Sequence, residues 1–252
     1  LSEITREGIS HVAEAVAQSA DHILGFFGML RLELAFYVGC LNLHDRLTGK
    51  SEPVCIPEPL PAGGAELCAR ALYDPCLSLN TEETVVGNDV DAAAKTLVII
   101  TGANRGGKST LLRSIGLAQL MMQCGLFVAA ESFSADVCRR LFTHYKREED
   151  AAMKSGKFDE ELDRMSGIID ALAPDSMLLF NESFAATNER EGSEIARQIV
   201  RALLEARVKV FFVTHLYEFA HGLYEEKRGG ALFLRAAREA DGRRTFKLAP
   251  GE

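Results

Sequence analysis

An α/β fold, with a mostly parallel sheet flanked by helices and a helical arm in front of it, is predicted by three observations. The first is Gly102-Ala103-Asn104-Arg105-Gly106-Gly107-Lys108-Ser109, a G-x-x-x-x-G-K-S run between the apolar Leu97-Val98-Ile99-Ile100 and the helix-like Thr110-Leu111-Leu112. Strand, glycine-rich loop and helix in that order describe a phosphate-binding P-loop. The second is a set of continuous apolar strands without polar alternation, as expected where both faces of a sheet are covered. The third is the alternation of such strands with amphipathic helices, which places the helices on the two faces.

From Ile9 onward, Val12, Val16, Ile23, Phe26, Leu30 and Leu34 recur at three-, four- or seven-residue intervals, the stripe of one long helix or of two. Gly25 and Gly28 offer a break between them. Thr48-Gly49-Lys50-Ser51 and the cluster Pro53, Pro57, Pro59 and Pro61 predict a linker, because proline fixes φ and removes a donor. Short strands are expected at Leu67–Leu72 and Thr84–Val86, then the loop-feeding strand Leu97–Thr101. A helix over Ser109–Cys124 stops at Gly125. A second, Glu160–Ala173, has Leu162, Met165, Ile168, Ile169 and Leu172 on its expected buried face and Pro174 at its end. Ser176–Asn181 predicts a strand, Glu191–Ala206 a helix, and Val208–Thr214 a fully buried strand. Leu232–Leu234 and Thr245–Leu248 flank Asp241-Gly242 as a hairpin. The chain divides into a helical arm, 1–50, and a P-loop ATPase domain, 51–252.

Composition narrows the functional classes. The 252 residues are 47% hydrophobic, enough for a full core. With 28 Lys+Arg against 36 Asp+Glu, the net charge of −8 gives no overall electrostatic case for wrapping nucleic acid. Six cysteines without a C-x-x-C pair, beside a loop that implies an ATP-containing compartment, favour reduced thiols and a cytoplasmic setting. No signal peptide or uninterrupted apolar stretch of membrane-spanning length is expected. The chain begins at Leu1 and opens in helix-like sequence, as expected of a fragment of a longer protein.

The chemistry-bearing positions follow. Glycines let successive backbone N–H groups converge on one anion, and the helix behind adds partial positive charge. Gly102, Asn104, Gly106, Gly107, Lys108, Ser109 and Thr110 are therefore the candidate positions for ATP, with Lys108 on the β/γ-phosphates and the Ser109 hydroxyl on Mg²⁺. The strand Met177–Asn181 delivers Glu182 at its end, a candidate general base for the attacking water. Asn181 stands where an aspartate is usual; its amide can orient a Mg²⁺-bound water but brings no negative charge. His215, after the buried strand ending Val213-Thr214, is placed to hydrogen-bond the γ-phosphate or the water.

Four ordered segments resemble the C-terminal ATPase domain of the MutS family: TGANRGGKST (101–110), SGKFDEEL (155–162), LLFNESFAATNEREG (178–192) and FFVTHLYEFA (211–220). The first is close to the family's T-G-P-N-M-G-G-K-S-T, with Ala103 and Arg105 in place of Pro and Met. The family's D-E-x-G-R-G-T becomes Asn181-Glu182-Ser183-Phe184-Ala185-Ala186-Thr187, which points to a divergent branch. Ser19–Leu47 resembles the end of the family's lever arm. The resemblance implies an ABC-like ATPase fold in a homodimer with composite nucleotide sites, Ser155 of one subunit approaching the nucleotide of the other. It also implies that Asn104 contacts phosphate or water, that ATP/ADP state controls dimer geometry, and that DNA is handled by N-terminal domains outside this sequence. Two alternatives stay open: a non-hydrolysing nucleotide-dependent dimerisation module, suggested by Asn181, and another ABC-like DNA ATPase, which lacks support because no L-S-G-G-Q run is present.

Overall fold

The computed structural model describes residues 2–146, 156–226, 229–239 and 242–251. The chain divides into two compact units, Leu1–Arg46 and Leu47–Glu252. Residues 2–46 of the first lie within a single uninterrupted helix, α1 (Ser2–Thr48). Gly25 and Gly28 do not break it. The apolar residues are not confined to one stripe: Leu24, Phe27, Leu32 and Val38 are as exposed as Ile23, Phe26 and Leu34. A helix apolar on several faces is one that other surfaces cover. By length and composition alone this helix is long and apolar enough to cross a membrane, although it holds no uninterrupted apolar stretch of that length. Only Arg31 and Glu33 are charged between residues 23 and 43.

The second unit contains two sheets where the sequence suggested one. The smaller has the order β1-β5-β2-β3, from β1 (Glu58–Leu60), β2 (Leu67–Leu72), β3 (Asn88–Asp91) and β5 (Ser132–Asp136). Thr84–Val86 is not a strand; β3 begins two residues later, where Asn88 and Val90 turn inward. β1 lies inside the proline cluster, at the sheet edge where a missing N–H costs no ladder bond. Between the two β-segments, α2 (Pro75–Asn80) is capped by Asp74, whose carboxylate accepts from the N–H groups of Cys76 and Leu77.

The larger sheet has the order β10-β9-β4-β8-β7-β6. Its members are β4 (Leu97–Thr101), β6 (Leu141–Tyr145), β7 (Met177–Asn181), β8 (Lys209–Val213), β9 (Ala231–Arg238) and β10 (Arg244–Pro250). All neighbours are parallel except the closing β9/β10 hairpin. β4, β7 and β8 are buried on both faces. On one face, α4 (Lys157–Asp170), α5 (Glu189–Glu205) and α6 (Tyr217–Glu225) enclose Ile99, Leu178, Phe180, Val210 and Phe212. On the other, α3 (Lys108–Gln123) packs so closely that a Cβ at Gly116 would sit 2.7 Å from Leu179 Cδ1.

The buried face of α4 is rotated from the one expected. Leu162 and Ile169 are exposed, while Glu161 and Met165 are buried and Phe158, Ile168 and Leu172 pack on the core. Lys209 joins the sheets: its ammonium donates to Ala65 O (2.6 Å) and Ala92 O (3.2 Å), both beside the smaller sheet. Burial pushes its pKa down to about 8, against the pull of Asp136 and Glu66.

The chain leaves β4 toward β6 and β7 on one side, but leaves β8 for β9 on the other. The carboxyl ends of β4 and β8 thus form the switch point where open α/β sheets bind ligands.

Candidate functional site

At that switch point the glycine-rich loop joins β4 to α3. Gly102 and Gly107 have φ of +106° and +94°, backbone that L side chains rarely adopt. Space is as restrictive as conformation. A Cβ on Gly102 would stand 2.8 Å from Ala236 N, and one on Gly106 2.7 Å from Ala236 Cβ and 2.9 Å from Ala103 O. Gly107 faces the carbonyl of Phe246. That carbonyl accepts from Asn88 Nδ2 at 3.1 Å, and Leu248 N donates back to Asn88 Oδ1 at 2.8 Å. The hairpin β9/β10 is therefore the rear wall of the loop.

Lys108 opens α3 and is buried. Its ammonium donates to Gly102 O (2.8 Å) and Ala103 O (3.0 Å), the carbonyls of its own loop. Burial lowers its pKa, with Glu182 opposing. Ser109 donates its hydroxyl proton to Asn181 Oδ1 at 2.8 Å, so loop and β7 meet through two neutral oxygens. Thr110 lies on the first turn of α3, and Asn104 at the exposed tip of the loop.

Glu182 leaves the end of β7 with φ +55°, while its N–H still donates to Val213 O of β8. Its carboxylate is 2.9 Å from His215 Nε2. That nitrogen also lies 3.4 Å from Lys108 Nζ. An Nε2–H donating to Glu182 has no lone pair left for lysine, so the lysine bonds are those to the loop carbonyls. A cleft of about 330 Å³ opens beside His215, lined by Thr101, Gly102, Thr214, Tyr217 and Arg235 among others. Thr101, Tyr217 and Arg235 were absent from the sequence-based site, because nothing local distinguishes them from ordinary strand and helix residues.

Lys108, Ser109, Asn181, Glu182 and His215, from three separate segments, thus converge on one loop. Ser155 lies outside the described residues. No cluster of three or more His, Cys, Asp or Glu side chains able to hold a metal occurs among the described residues. A hard cation here would rely on the Ser109 and Asn181 oxygens, which suits Mg²⁺ only when phosphate oxygens complete its shell.

Residues 98–247 match the family described as MutS domain V, and residues 1–50 match the MutS2 N-terminal domain. The DNA mismatch repair protein MutS of Leptospira interrogans is 30% identical over 276 aligned positions, covering 98% of this chain and 30% of the relative. That of Porphyromonas gingivalis is 34% identical over 182 positions, 69% of this chain and 20% of the relative. Endonuclease MutS2 of Lacticaseibacillus casei is 28% identical over 222 positions, covering 86% and 28%. The chain spans only 20–30% of the length of these relatives. With more than half of its residues matched to that one domain, the chain belongs to the MutS family.

Proposed function

We propose that this chain binds ATP with Mg²⁺ on the Gly102–Ser109 loop and hydrolyses it, as the ATPase domain of a DNA-processing protein. The observation that carries this reading is the convergence of Lys108, Ser109, Asn181, Glu182 and His215 on a P-loop at the switch point of a parallel sheet. The first turn of α3 and the glycine backbone present N–H groups to the phosphates. Lys108 exchanges its loop carbonyls for the β/γ-phosphate oxygens, where its charge offsets theirs. Ser109 Oγ, and Asn181 Oδ1 through a bound water, would hold Mg²⁺, which would draw charge from the phosphates.

Glu182 receives the proton of the water that attacks the γ-phosphorus as the bond to the β,γ-bridging oxygen breaks. His215, donating to Glu182, holds that carboxylate toward the phosphate end of the loop. In the full-length parent, nucleotide state would set the geometry of a homodimer, with Ser155 reaching the partner's nucleotide, and DNA would be engaged by domains beyond this sequence. The relatives named for DNA mismatch repair and for an endonuclease support a DNA role of the parent.

One observation favours a second reading, a nucleotide-dependent dimerisation module without turnover: Asn181 supplies an amide where hydrolysing sites carry a carboxylate. Nucleotide titration beside single-turnover hydrolysis separates the two. Lys108→Ala should abolish ATP binding, whereas Glu182→Gln should keep affinity within a few-fold and slow hydrolysis by about 10² or more. Wild-type ATP affinity in Lys108→Ala would reject the site, and unchanged turnover in Glu182→Gln would remove Glu182 as the base.

A further inference from the structure

Two residues just beyond β7 stand in left-handed backbone without being glycine: Glu182 at φ +55° and Phe184 at φ +62°. Such backbone is unfavourable for a residue with a side chain and persists only where its surroundings hold it. Between them, Ser183 is fully buried. Its hydroxyl lies 2.7 Å from both His144 Nδ1 and His144 O. His144 is itself buried, and burial drives its pKa down, so the ring is neutral. Its Nε2–H then donates to Glu161 O at 3.0 Å, and the single Ser183 proton is shared between the two His144 acceptors.

The Phe184 ring stacks on His144, with centroids 5.4 Å apart, and reaches the core beside Phe180. The Phe184 amide donates to the Glu161 carboxylate at 2.9 Å, and Glu161, on α4, is 4% exposed. Core packing by an aromatic ring does not require a buried carboxylate on its amide. Burying that group is costly unless it is bonded, so its presence marks a turn whose geometry is held from α4.

We propose that Glu161 and Phe184 are positioning residues for Glu182: through the bond from the Phe184 amide to the Glu161 carboxylate, α4 fixes the turn that aims the Glu182 carboxylate at His215. The proposal rests on the reading of Glu182 as the base, but its geometric part is testable without nucleotide. Glu161→Ala removes the anchor, and Glu161→Gln retains an oxygen that accepts from the Phe184 amide.

In the ¹⁵N spectrum, the His215 imidazole resonances, which report the contact with Glu182, should move in Glu161→Ala and return in Glu161→Gln. Single-turnover ATP hydrolysis should fall about tenfold in Glu161→Ala with ATP affinity unchanged, and recover in Glu161→Gln. In a Glu182→Gln background the same alanine substitution should have no further effect on turnover, because the residue acts through Glu182. If Glu161→Ala does not fold, Glu161→Asp, whose shorter side chain draws the carboxylate back from the Phe184 amide, is read the same way. Unmoved His215 resonances, or an undiminished effect in the Glu182→Gln background, would overturn the proposal. Moved resonances in a chain that does not hydrolyse ATP would leave the positioning intact and refute the ATPase reading instead.

Discussion

Replacing Lys209 with methionine is expected to remove a component of stability that depends on pH. The side chain keeps its length and loses its charge. Folding holds the amine near a pKa of 8, against an ordinary 10.5, because burial between the sheets disfavours the ammonium. Between those two values the unfolded chain carries a proton that the folded chain has released. Stability from this group therefore rises with pH across that window, and below pH 8 the penalty is present in full, about 3 kcal/mol at 1.36 kcal/mol per pH unit. Evaluating the linkage between pH 7 and 9.5 gives the wild-type protein a gain of about 2 kcal/mol from Lys209 alone. Urea unfolding of wild type and Lys209→Met at the two pH values measures it. The half-buried thiols of Cys55 and Cys68 and the buried thiol of Cys138 have raised pKa values and act in the opposite direction, but they are present in both proteins and largely cancel in the difference. The pH stays below the range in which Tyr73, whose pKa burial raises, begins to ionise. Equal pH dependence in the two proteins would show that the Lys209 amine is not desolvated and that the inter-sheet clamp is misassigned.

Asn181→Asp replaces the neutral acceptor of the Ser109 hydroxyl with a carboxylate, so the Mg²⁺ concentration giving half-maximal ATPase activity should fall by about tenfold, and an unshifted titration would place Asn181 away from the metal. Gly106→Ala forces a Cβ onto Ala236 and Ala103 and should cost roughly 1–3 kcal/mol, whereas Gly167→Ala, on the exposed side of α4 with nothing within 4 Å, should stabilise by roughly 0.5–1 kcal/mol. Thermal melts that move in the same direction for both would contradict the tight rear wall. Ser155→Ala should weaken ATP-dependent dimerisation of the full-length parent while leaving nucleotide binding nearly intact; a sedimentation profile identical to wild type with ATP would leave Ser155 without a role across the interface.

The glycine-rich loop and the strands β4, β7 and β8 were legible because their signals are local: spacing of glycines, and apolar runs bounded by polar residues. The same locality made Lys108, Ser109, Asn181, Glu182 and His215 readable as site candidates that the fold then gathers. β5 and β6 were not legible, since SFSAD and LFTHY mix polar residues into short runs whose burial depends on neighbouring strands. The six residues of α2 are too few to show a periodicity, and its Asp74 cap is recognisable only once the helix is known. The face of α4 differs from the apolar stripe because Glu161, a residue type that apolar periodicity does not count, is buried with its carboxylate on the Phe184 amide. Nor does residue type reveal that Phe184 occupies left-handed backbone, which its neighbours enforce.

The rear wall of the glycine-rich loop also bears on how the molecule is made. The loop is complete in sequence by Ser109, but Ala236 and Phe246, which close its back, are synthesised about 130 residues later. On the ribosome the strand and helix around the loop can form early, from contacts close in sequence. The Asn88 bonds to Phe246 and Leu248, which join residues about 160 positions apart, must wait for the hairpin to emerge. A nascent chain halted before β9 would hold every glycine of the loop and yet lack the surface against which they are shaped. The order of synthesis thus keeps this loop unfinished until nearly all of the unit that surrounds it has been made.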